Sequence, residues 1–179
     1  LFESLITVGQ AINSAVDLDD ALTAITREGC SLMNARTSAL QLLDESGDRL
    51  ALMASHGAEE TYLNKPDVVV SDSFLGSVVR RQKPMQIENI QTSNAYQQQN
   101  MARKEGLVAL LSVPLVFGGS AIGTLNIYKA DAYVFSNDEI QIAMALAELS
   151  AIAIEKARLL ERIVESEEHL RQNEKLSAL

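Results

Sequence analysis

The segment Phe135-Ser136-Asn137-Asp138-Glu139-Ile140 is followed by no Pro or Gly up to the end of the chain. Ser136 and Glu139 have the spacing of a capping box, in which each side chain accepts the backbone N–H of the other residue. Phe135 and Ile140 are placed for a hydrophobic staple. Together they predict a helix of about 43 residues, roughly 65 Å long and about twice the width of a small domain. Such a helix usually leads to a partner or to another domain, which favours a component of a signalling chain over a self-contained enzyme.

Upstream of this helix, two long strands are predicted with a tight turn between them. Leu107 to Phe117 and Ser120 to Lys129 show the strongest strand patterns of the chain, and Gly118-Gly119 suits a two-residue hairpin turn. A short strand, Met85 to Glu88, comes before them. The polar stretch from Gln91 to Glu105 predicts a loop or a loose helix.

The first half of the chain combines two helices with a second hairpin. Residues 1–14 place apolar side chains at helical spacing, and Asp17-Leu18-Asp19-Asp20 predicts the start of a second helix. Thr37 to Leu43 and Arg49 to Ala54 predict the hairpin, residues 56–70 look irregular, and a Ser-rich cap predicts a short helix from Phe74. Because hairpins join most strands, we expect an antiparallel sheet of the α+β class, with the terminal helices on one face.

Composition limits the function classes. The chain has 179 residues, a hydrophobic fraction of 47% and a net charge of −9, which argues against non-specific nucleic-acid binding and against anionic membrane surfaces. No apolar run approaches the roughly 18 residues of a membrane span, so no membrane contact is expected within the chain. The single Cys30 excludes an internal disulfide framework and fits a reducing, cytoplasmic compartment. Because the chain begins at Leu1 rather than Met, we expect it to be part of a longer protein.

Several short sequence motifs, in this order, resemble those of the GAF domain family of small-molecule sensor and dimerisation modules. They are Gly76-Ser77-Val78-Val79 with Pro84-Met85-Gln86-Ile87-Glu88-Asn89, then Ser112-Val113-Pro114-Leu115, Ile122-Gly123-Thr124-Leu125-Asn126-Ile127-Tyr128 and Phe135-Ser136-Asn137-Asp138-Glu139. The resemblance covers residues 1–160. It implies a central antiparallel sheet with the N- and C-terminal helices on one face and a ligand-type pocket on the other.

The tail, Glu174-Lys175-Leu176-Ser177-Ala178-Leu179, is similar to the stretch that precedes the phosphoacceptor histidine of sensor histidine kinases. This resemblance implies a sensory domain, residues 1–160, and a signalling-helix linker, residues 161–179, of a two-component kinase. The expected partners are a second copy of the chain, through the terminal helices, and a small molecule. Two alternatives stay open: a ligand-free dimerising module, and the regulatory domain of a cyclic-nucleotide enzyme or a diguanylate cyclase.

The strand Ser120–Lys129 suggests where a ligand would bind. Ala121, Gly123, Leu125 and Ile127 suit packing under the helices, and the alternate residues, Ile122 included, suit a pocket. The alternative is that Thr124 and Asn126 only face water or satisfy loop backbone. The residues predicted to line the pocket are Gln41, Phe74, Val79, Asn89, Tyr96, Ser112, Thr124, Asn126 and Tyr128. The family implies no particular cofactor, and none is expected to be required.

Other candidate sites have weaker support. Asn126, Lys129, Phe135, Asp138 and Glu139 match the cyclic-nucleotide signature of the family only loosely, because Asn and Lys are three residues apart here and the helix cap already accounts for Phe135 and Glu139. The sequence shows no catalytic triad, Walker loop or dinucleotide fingerprint, so we expect no catalytic residue in this chain.

Lone residues of ligand type are expected to be structural. Cys30 lacks an adjacent His for bilin attachment and suits a small buried side chain, and His56 has no second His nearby for haem or metal. Asp44, Glu45 and Asp48 lack the spacing of a calcium loop and suit a solvated turn, so no metal site is predicted. Arg80 and Arg81 complement the end of their helix, although they could flank an anionic ligand.

The tail suggests an imperfect coiled coil. Six apolar residues approach a 3–4 spacing, and Lys156 and Glu167 interrupt it. We predict a parallel dimer, the alternative being a solvated single helix. The predicted dimer seam consists of Leu146, Leu149, Ala153, Leu160, Ile163 and Leu170.

Overall fold

The computed structural model describes residues 2–15 and 17–178, so Leu1, with the predicted beginning of the first helix, Val16 and Leu179 lie outside the described residues. The helices are α1 (Phe2–Asn13), α2 (Leu18–Leu32), α3 (Glu60–Leu63), α4 (Phe74–Arg81), α5 (Gln99–Glu105) and α6 (Asn137–Ser177). The strands are β1 (Thr37–Leu43), β2 (Arg49–His56), β3 (Val68–Val69), β4 (Met85–Ile87), β5 (Ala109–Phe117) and β6 (Ser120–Lys129). A 3-10 turn, Val70–Asp72, links β3 to α4.

The described strands form one six-stranded sheet in the order β3-β2-β1-β6-β5-β4, and every neighbouring pair is antiparallel. The predicted α+β class and antiparallel sheet are therefore confirmed. Gly118 and Gly119 form the β5–β6 turn with φ of 59° and 80°. Left-handed backbone at both central positions matches the right-handed twist of the flanking strands, which is why two glycines stand there.

Three helices begin at the predicted caps. The Asp17 carboxylate accepts the N–H of Asp20 at 2.8 Å, and Ser73 Oγ accepts that of Gly76 at 3.0 Å. At α6, Ser136 Oγ accepts the N–H of Glu139 at 3.2 Å and Glu139 Oε1 accepts the N–H of Ser136 at 3.0 Å, so the predicted capping box forms.

One face of the sheet packs under α2 and α6, as predicted for these helices, and α1 packs against α2 and α6. Leu40 and Leu125 on the strands and Leu146 on α6 are completely buried in this helix-side core. Full burial of one such side chain stabilises the fold by about 1.5–3 kcal/mol. The helix-side core therefore fixes the first turns of α6 to the sheet.

Side chains from β4 and β6 hold the start of α6 and the end of α2, respectively. The Gln86 amide on edge strand β4 donates to the carbonyl of Phe135 at 3.2 Å and accepts the N–H of Phe135 at 2.8 Å. Lys129 Nζ donates to the carbonyls of Met33 and Asn34, both at 2.9 Å, and so joins β6 to the end of α2. The residue before the α6 cap is therefore tied to the edge of the sheet.

The α6 helix continues well past the domain. Its 41 residues correspond to about 62 Å, and the residues after Arg158 are all exposed where the structure describes them. Among residues 2–15 and 17–178, no helix has both the length and the apolar content that a bilayer span requires.

The opposite face of the sheet is covered by α3, α4, α5 and their connections, which we call the outer layer. A second core lies between the sheet and the outer layer and includes Tyr62, Val78, Ile90, Leu110 and Tyr128, all completely buried. The domain therefore has two cores, one on each side of a single sheet. The outer layer has little regular structure, which agrees with the irregularity predicted for residues 56–70.

A β-bulge changes the predicted faces at the start of β6. The pairing Leu115–Gly123 is followed by Val116–Ala121, so Ile122 is an extra residue in this strand. Ile122 packs against the helix-side core and Ala121 against the outer one, whereas the alternation predicted the reverse, and the prediction is wrong for these two. An inserted residue shifts the side-chain period by one. From Thr124 to Tyr128 the predicted faces are confirmed.

Candidate functional site

A row of polar side chains crosses the outer face of the sheet beneath α4. Ser112 Oγ donates to Asn126 Oδ1 at 2.7 Å, and Asn126 Nδ2 donates to Gln41 Oε1 at 3.0 Å. All three residues are 0% exposed. This polar relay joins β5, β6 and β1 inside an otherwise apolar layer.

At one end of the polar relay lie two buried polar groups that have no hydrogen-bond partner among the described residues. Gln41 Nε2, at the end of the relay, and Thr124 Oγ1, on the residue paired with Gln41 across β1 and β6, have no hydrogen-bond partner in residues 2–15 and 17–178. Both residues are 0% exposed. A buried donor or hydroxyl without a partner costs about 1–3 kcal/mol, so this site gains stability when a hydrogen-bonding group reaches it.

Three tyrosines lie beside the polar relay. The hydroxyls of Tyr62 and Tyr128 are 3.1 Å apart, with their rings edge to face at 5.6 Å between centroids. Burial raises the pKa of both phenols, and of Tyr96, well above the ordinary value, so all three are neutral at physiological pH. The cluster therefore supplies neutral hydroxyls and ring edges rather than charge.

Glu105 fixes the segment that carries Tyr62. Its carboxylate accepts the N–H of Tyr62 at 2.7 Å and that of Glu59 at 3.0 Å, and the residue is 5% exposed. The Glu105 carboxylate thus caps the start of the short helix α3, where the Tyr62 N–H also bonds the Glu59 carbonyl at 3.1 Å. Neither Glu105 nor Tyr62 was predicted as a site residue, because their partners are more than 40 residues away along the chain.

An open cavity of about 220 Å³ lies at the N-terminal end of α4. The side chains around it include both charge signs, two amides and a mostly apolar wall. Its lining consists of Lys65, Asp67, Val68, Val69, Asp72, Ser73, Phe74, Leu75, Tyr96, Gln97 and Gln98.

Lys65 is the one cationic side chain in that lining. It is half-buried, and its Nζ lies 5.2 Å from the centroid of the Tyr62 ring. Burial lowers the pKa of Lys65 to about 8, against the opposing pull of the Asp67 carboxylate. Across residues 2–15 and 17–178, Lys65 forms no ion pair.

The residues predicted to line a pocket fall into three groups. Phe74 and Tyr96 line the open cavity. Asn89 instead stabilises a turn, because its Oδ1 accepts the N–H of Gln91 at 3.0 Å. The others lie in the layer beneath α4 or on α4 itself, where they are buried: Gln41, Val79, Ser112, Thr124, Asn126 and Tyr128. The alternative that Thr124 and Asn126 face water is wrong, while binding of a ligand by these residues stays a prediction.

The residues loosely aligned with the cyclic-nucleotide signature do not form one group, although Lys129 Nζ lies 5.9 Å from the centroid of the Phe135 ring. Asn126 faces the outer layer, whereas Lys129 is bonded to the end of α2 on the helix side. Phe135 is in the helix-side core and Glu139 belongs to the capping box.

The lone residues of ligand type have structural surroundings. Cys30 is buried, its thiol lies 3.2 Å from the carbonyl of Ala35, and burial raises the pKa of that thiol. His56 is exposed at the end of β2. Asp44 accepts Ser46 Oγ at 2.8 Å and the N–H of Asp48 at 3.1 Å, which lowers the pKa of its carboxyl and stabilises the turn. Residues 2–15 and 17–178 contain no group of three metal-ligating side chains placed to hold an ion.

The predicted dimer seam is divided by burial. Leu146 and Ala153 belong to the helix-side core, at 0% and 5% exposure, and cannot pack against a second chain, so the prediction does not hold for these two. Leu149 is half-buried and faces Gly9 of α1. Leu160, Ile163 and Leu170 are 47%, 45% and 62% exposed. Only this distal part of the seam presents large apolar surface.

Comparison with known proteins gives a consistent match. The family model of the GAF domain matches residues 15–155. The GAF domain of a phosphoenolpyruvate-protein phosphotransferase from Coxiella burnetii superimposes with a TM-score of 0.80 at 23% identity, covering 90% of this chain and 96% of that one. Free methionine-R-sulfoxide reductase from Neisseria meningitidis, solved with its substrate, gives 0.75 at 15% identity, covering 89% and 90%. A domain of a putative two-component sensor histidine kinase from Sinorhizobium meliloti 1021 gives 0.62 at 23% identity, covering 75% and 88%.

Proposed function

Because the chain belongs to the GAF domain family of regulatory and sensory domains, we propose that it is the sensory input and dimerisation domain of a cytoplasmic two-component histidine kinase. In this proposal a small molecule binds between the sheet and the outer layer, and α6 carries the response toward the kinase core. In this proposal the domain itself performs no catalysis. The fold similarity to a domain of a putative sensor histidine kinase and the kinase-like tail sequence support this choice of parent protein.

The observation that carries the proposal is the double role of α6. From Ala143 to Ala157 its inward side is buried in the helix-side core, while from Leu159 onward its side chains are exposed. The same rigid helix therefore belongs both to the domain and to whatever packs against its distal half. A change in how the domain holds the start of α6 displaces the distal half as well.

The polar relay supports the ligand part of the proposal. Two buried polar groups, Gln41 Nε2 and Thr124 Oγ1, gain partners when a small hydrogen-bonding molecule enters beneath α4. A ligand that binds one arrangement of the outer layer better than another shifts the equilibrium between them by that difference in affinity. The relay and the open cavity lie on the side of the sheet away from α6, so the signal would pass through the sheet and its edges.

Native mass spectrometry of the protein purified from its own host tests the ligand. We expect a retained small molecule that is released on unfolding, and that is lost from a Gln41→Leu/Thr124→Val double variant. This variant removes both unpaired groups at nearly constant volume, but it also removes the Gln41 Oε1 that accepts Asn126 Nδ2. Circular dichroism and urea unfolding should therefore confirm that it folds. Phosphorylation of the full-length parent protein by ATP tests the output: a phosphohistidine is expected, and its absence would overturn the kinase assignment.

A ligand-free dimerising module is the second candidate. The observation that favours it is the closure of the polar relay, whose residues are completely buried beneath the outer layer. For such a module, the double variant should leave the output of the parent kinase unchanged, whereas a sensor should lose its response.

A further inference from the structure

The segment that leads into α6 lies along the outer edge of β4, the last strand of the sheet. The Gln86 amide bonds both backbone groups of Phe135, donating to its carbonyl at 3.2 Å and accepting its N–H at 2.8 Å. The carbonyl of Glu88 accepts the N–H of Tyr133 at 3.4 Å. The other edge of β4 pairs with β5. The strand β4 therefore lies between the body of the sheet and the residues before α6.

A very short connection joins β4 to α4. The helix ends at Arg81 and the strand begins at Met85, so three residues separate them. One of these is Pro84, whose ring fixes its own φ. Gln82 has a left-handed backbone with φ of 51°, and its Nε2 donates to the Gly119 carbonyl at 3.1 Å. Because this connection has little conformational freedom, a displacement of the end of α4 moves β4 as well.

Both α4 and β4 contact the buried layer in which the polar relay lies. Val78 of α4 is 0% exposed and packs in the core between the sheet and the outer layer. Met85 pairs with Ser112 across β4 and β5, and Ser112 Oγ donates to Asn126 Oδ1 within the relay. A rearrangement of the outer layer above the relay therefore acts on α4 and β4 together.

Phe135 connects this edge of the sheet to the helix-side core. Its backbone is held by Gln86, whereas its side chain is 2% exposed and packs in the helix-side core. In α6 itself, residues 137–142 are exposed or half-buried, and the first buried residue is Ala143. The position of the first turns of α6 therefore depends on Phe135 as well as on their own packing.

The contact between Gln86 and Phe135 belongs to the part of the fold that opens most easily. The strand β4 has three residues and pairs with another strand on one edge only. Elements with few buried contacts open locally more readily than central strands. The two bonds of Gln86 can therefore form or break without unfolding of the domain, which provides the two states that coupling between distant sites requires.

We infer that Gln86 is the positioning residue through which the outer layer controls the start of α6. When the outer layer changes its arrangement, α4 and β4 move together, and the two bonds of Gln86 transmit this displacement to Phe135. A ligand that favours one arrangement of α4 then shifts the start of α6 by the same preference. Gln86 does not line the open cavity, so it acts on α6 and not on a ligand there. This inference rests on the proposed sensory function and specifies the route of its regulation.

The test is a double-mutant cycle on the purified chain, measured by amide hydrogen exchange. Val78→Ala perturbs α4 on the opposite side of the sheet from α6. The N–H of Ile140, which donates to the Ser136 carbonyl at 3.0 Å, reports opening of the first turn of α6. We expect Val78→Ala to accelerate this exchange at least about fivefold in the wild type but less than about twofold in Gln86→Leu.

A reference amide separates coupling from general destabilisation. The N–H of Leu125 lies on β6, which pairs with a strand on both edges, so its exchange reports global unfolding. General destabilisation would accelerate the exchange of Leu125 and Ile140 by the same factor. The coupling is therefore measured as the acceleration of Ile140 relative to Leu125.

Two further variants complete the design. Gln91→Leu is the matched control, because Gln91 Nε2 donates to the Leu107 carbonyl at 2.9 Å, a similar bond that does not involve α6. In that background Val78→Ala should keep its acceleration of at least about fivefold. Gln86→Glu retains the acceptor for the Phe135 N–H but loses the donor. If Gln86→Leu does not fold, Gln86→Glu takes its place and should also reduce the effect of Val78→Ala.

The outcomes distinguish the route from the proposed function. The inference is overturned if Val78→Ala leaves Ile140 unchanged in the wild type, if it accelerates Ile140 equally in the Gln86 variant, or if Ile140 exchanges at the rate of Leu125 in every form. Coupling in this chain without a phosphohistidine in the parent protein would leave the route intact and refute the kinase assignment. A phosphohistidine without coupling would refute the route alone.

Discussion

Replacing Leu160 by Glu should convert a dimer of this chain to monomer at concentrations where the wild type is dimeric. Leu160 is 47% exposed, so a coiled-coil partner can remove about half of its side-chain surface from water. Because full burial of a Leu is worth about 1.5–3 kcal/mol, half of that on each of two chains amounts to roughly 1.5–3 kcal/mol per dimer. That loss raises the dissociation constant about 10- to 150-fold, before any cost of placing two carboxylates in the seam.

Sedimentation velocity over a concentration series measures this shift directly. Gln172→Glu is the matched control, because it adds the same charge to the exposed tail outside the predicted seam and should leave the dissociation constant within a few-fold of the wild type. Truncation after Ala157 should act like Leu160→Glu. If both forms dimerise as tightly as the wild type, the tail is not the dimer interface. The α1 helix, where Ile6 is 54% exposed, is then the next candidate for that interface.

Three further predictions concern the cap, the nucleotide and the lysine. In urea unfolding, Ser136→Ala should lower the free energy of unfolding by about 0.5–2 kcal/mol, and Glu139→Ala should lower it less. The double variant should lose less than the sum of the two, because both bonds belong to one capping box. Additive losses would contradict a reciprocal box. Calorimetry with cyclic AMP and cyclic GMP should show no binding with a dissociation constant near 1 µM, which corresponds to about −8 kcal/mol, since Asn126 and Lys129 face opposite sides of the sheet. Micromolar binding that Asn126→Ala weakens would refute this. Because burial lowers the pKa of Lys65 from 10.5 to about 8, the unfolded chain holds one more proton between these values, so this group makes stability rise with pH there. Lys65→Met should then be more stable than the wild type at pH 7, and urea unfolding should show that advantage shrinking toward pH 10, while a constant difference would contradict the shift.

The helix caps and hairpins were predictable because each depends on residues that are neighbours along the chain. The capping box needs only Ser136 and Glu139, and the β5–β6 turn needs only Gly118 and Gly119. These signals placed the elements in the right order. The antiparallel pairing then followed from the hairpins.

The faces of β6 show where a local pattern stops being sufficient. The alternation is correct from Thr124 to Tyr128 and wrong at Ala121 and Ile122, because a bulge opposite Leu115 and Val116 inserts one residue. A bulge depends on how two strands match in length and twist, and the sequence of one strand does not state it.

The candidate site was predicted in part for the same reason. Asn126 was placed by the alternation of its strand and Gln41 and Ser112 were predicted to join it from neighbouring segments, and the structure joins all three in one relay. Tyr62 and Glu105 come from the outer layer, whose sequence shows no clear helix or strand periodicity. They are brought into contact only by the tertiary fold. Leu146 was assigned to the dimer seam because a heptad pattern does not distinguish a helix face packed on its own domain from one packed on a second chain.

The two hydrogen bonds between Gln86 and Phe135 have a consequence for joining this domain to other proteins. Because the Gln86 amide holds the residue before the cap, the domain determines the rotational angle at which α6 leaves it. Each residue added to α6 turns whatever follows by about 100°. Insertions of seven residues therefore restore the angle of a fused output module to within about 20°, whereas insertions of two residues turn it to roughly the opposite side. Functional chimaeras should thus recur at junction lengths that differ by heptads.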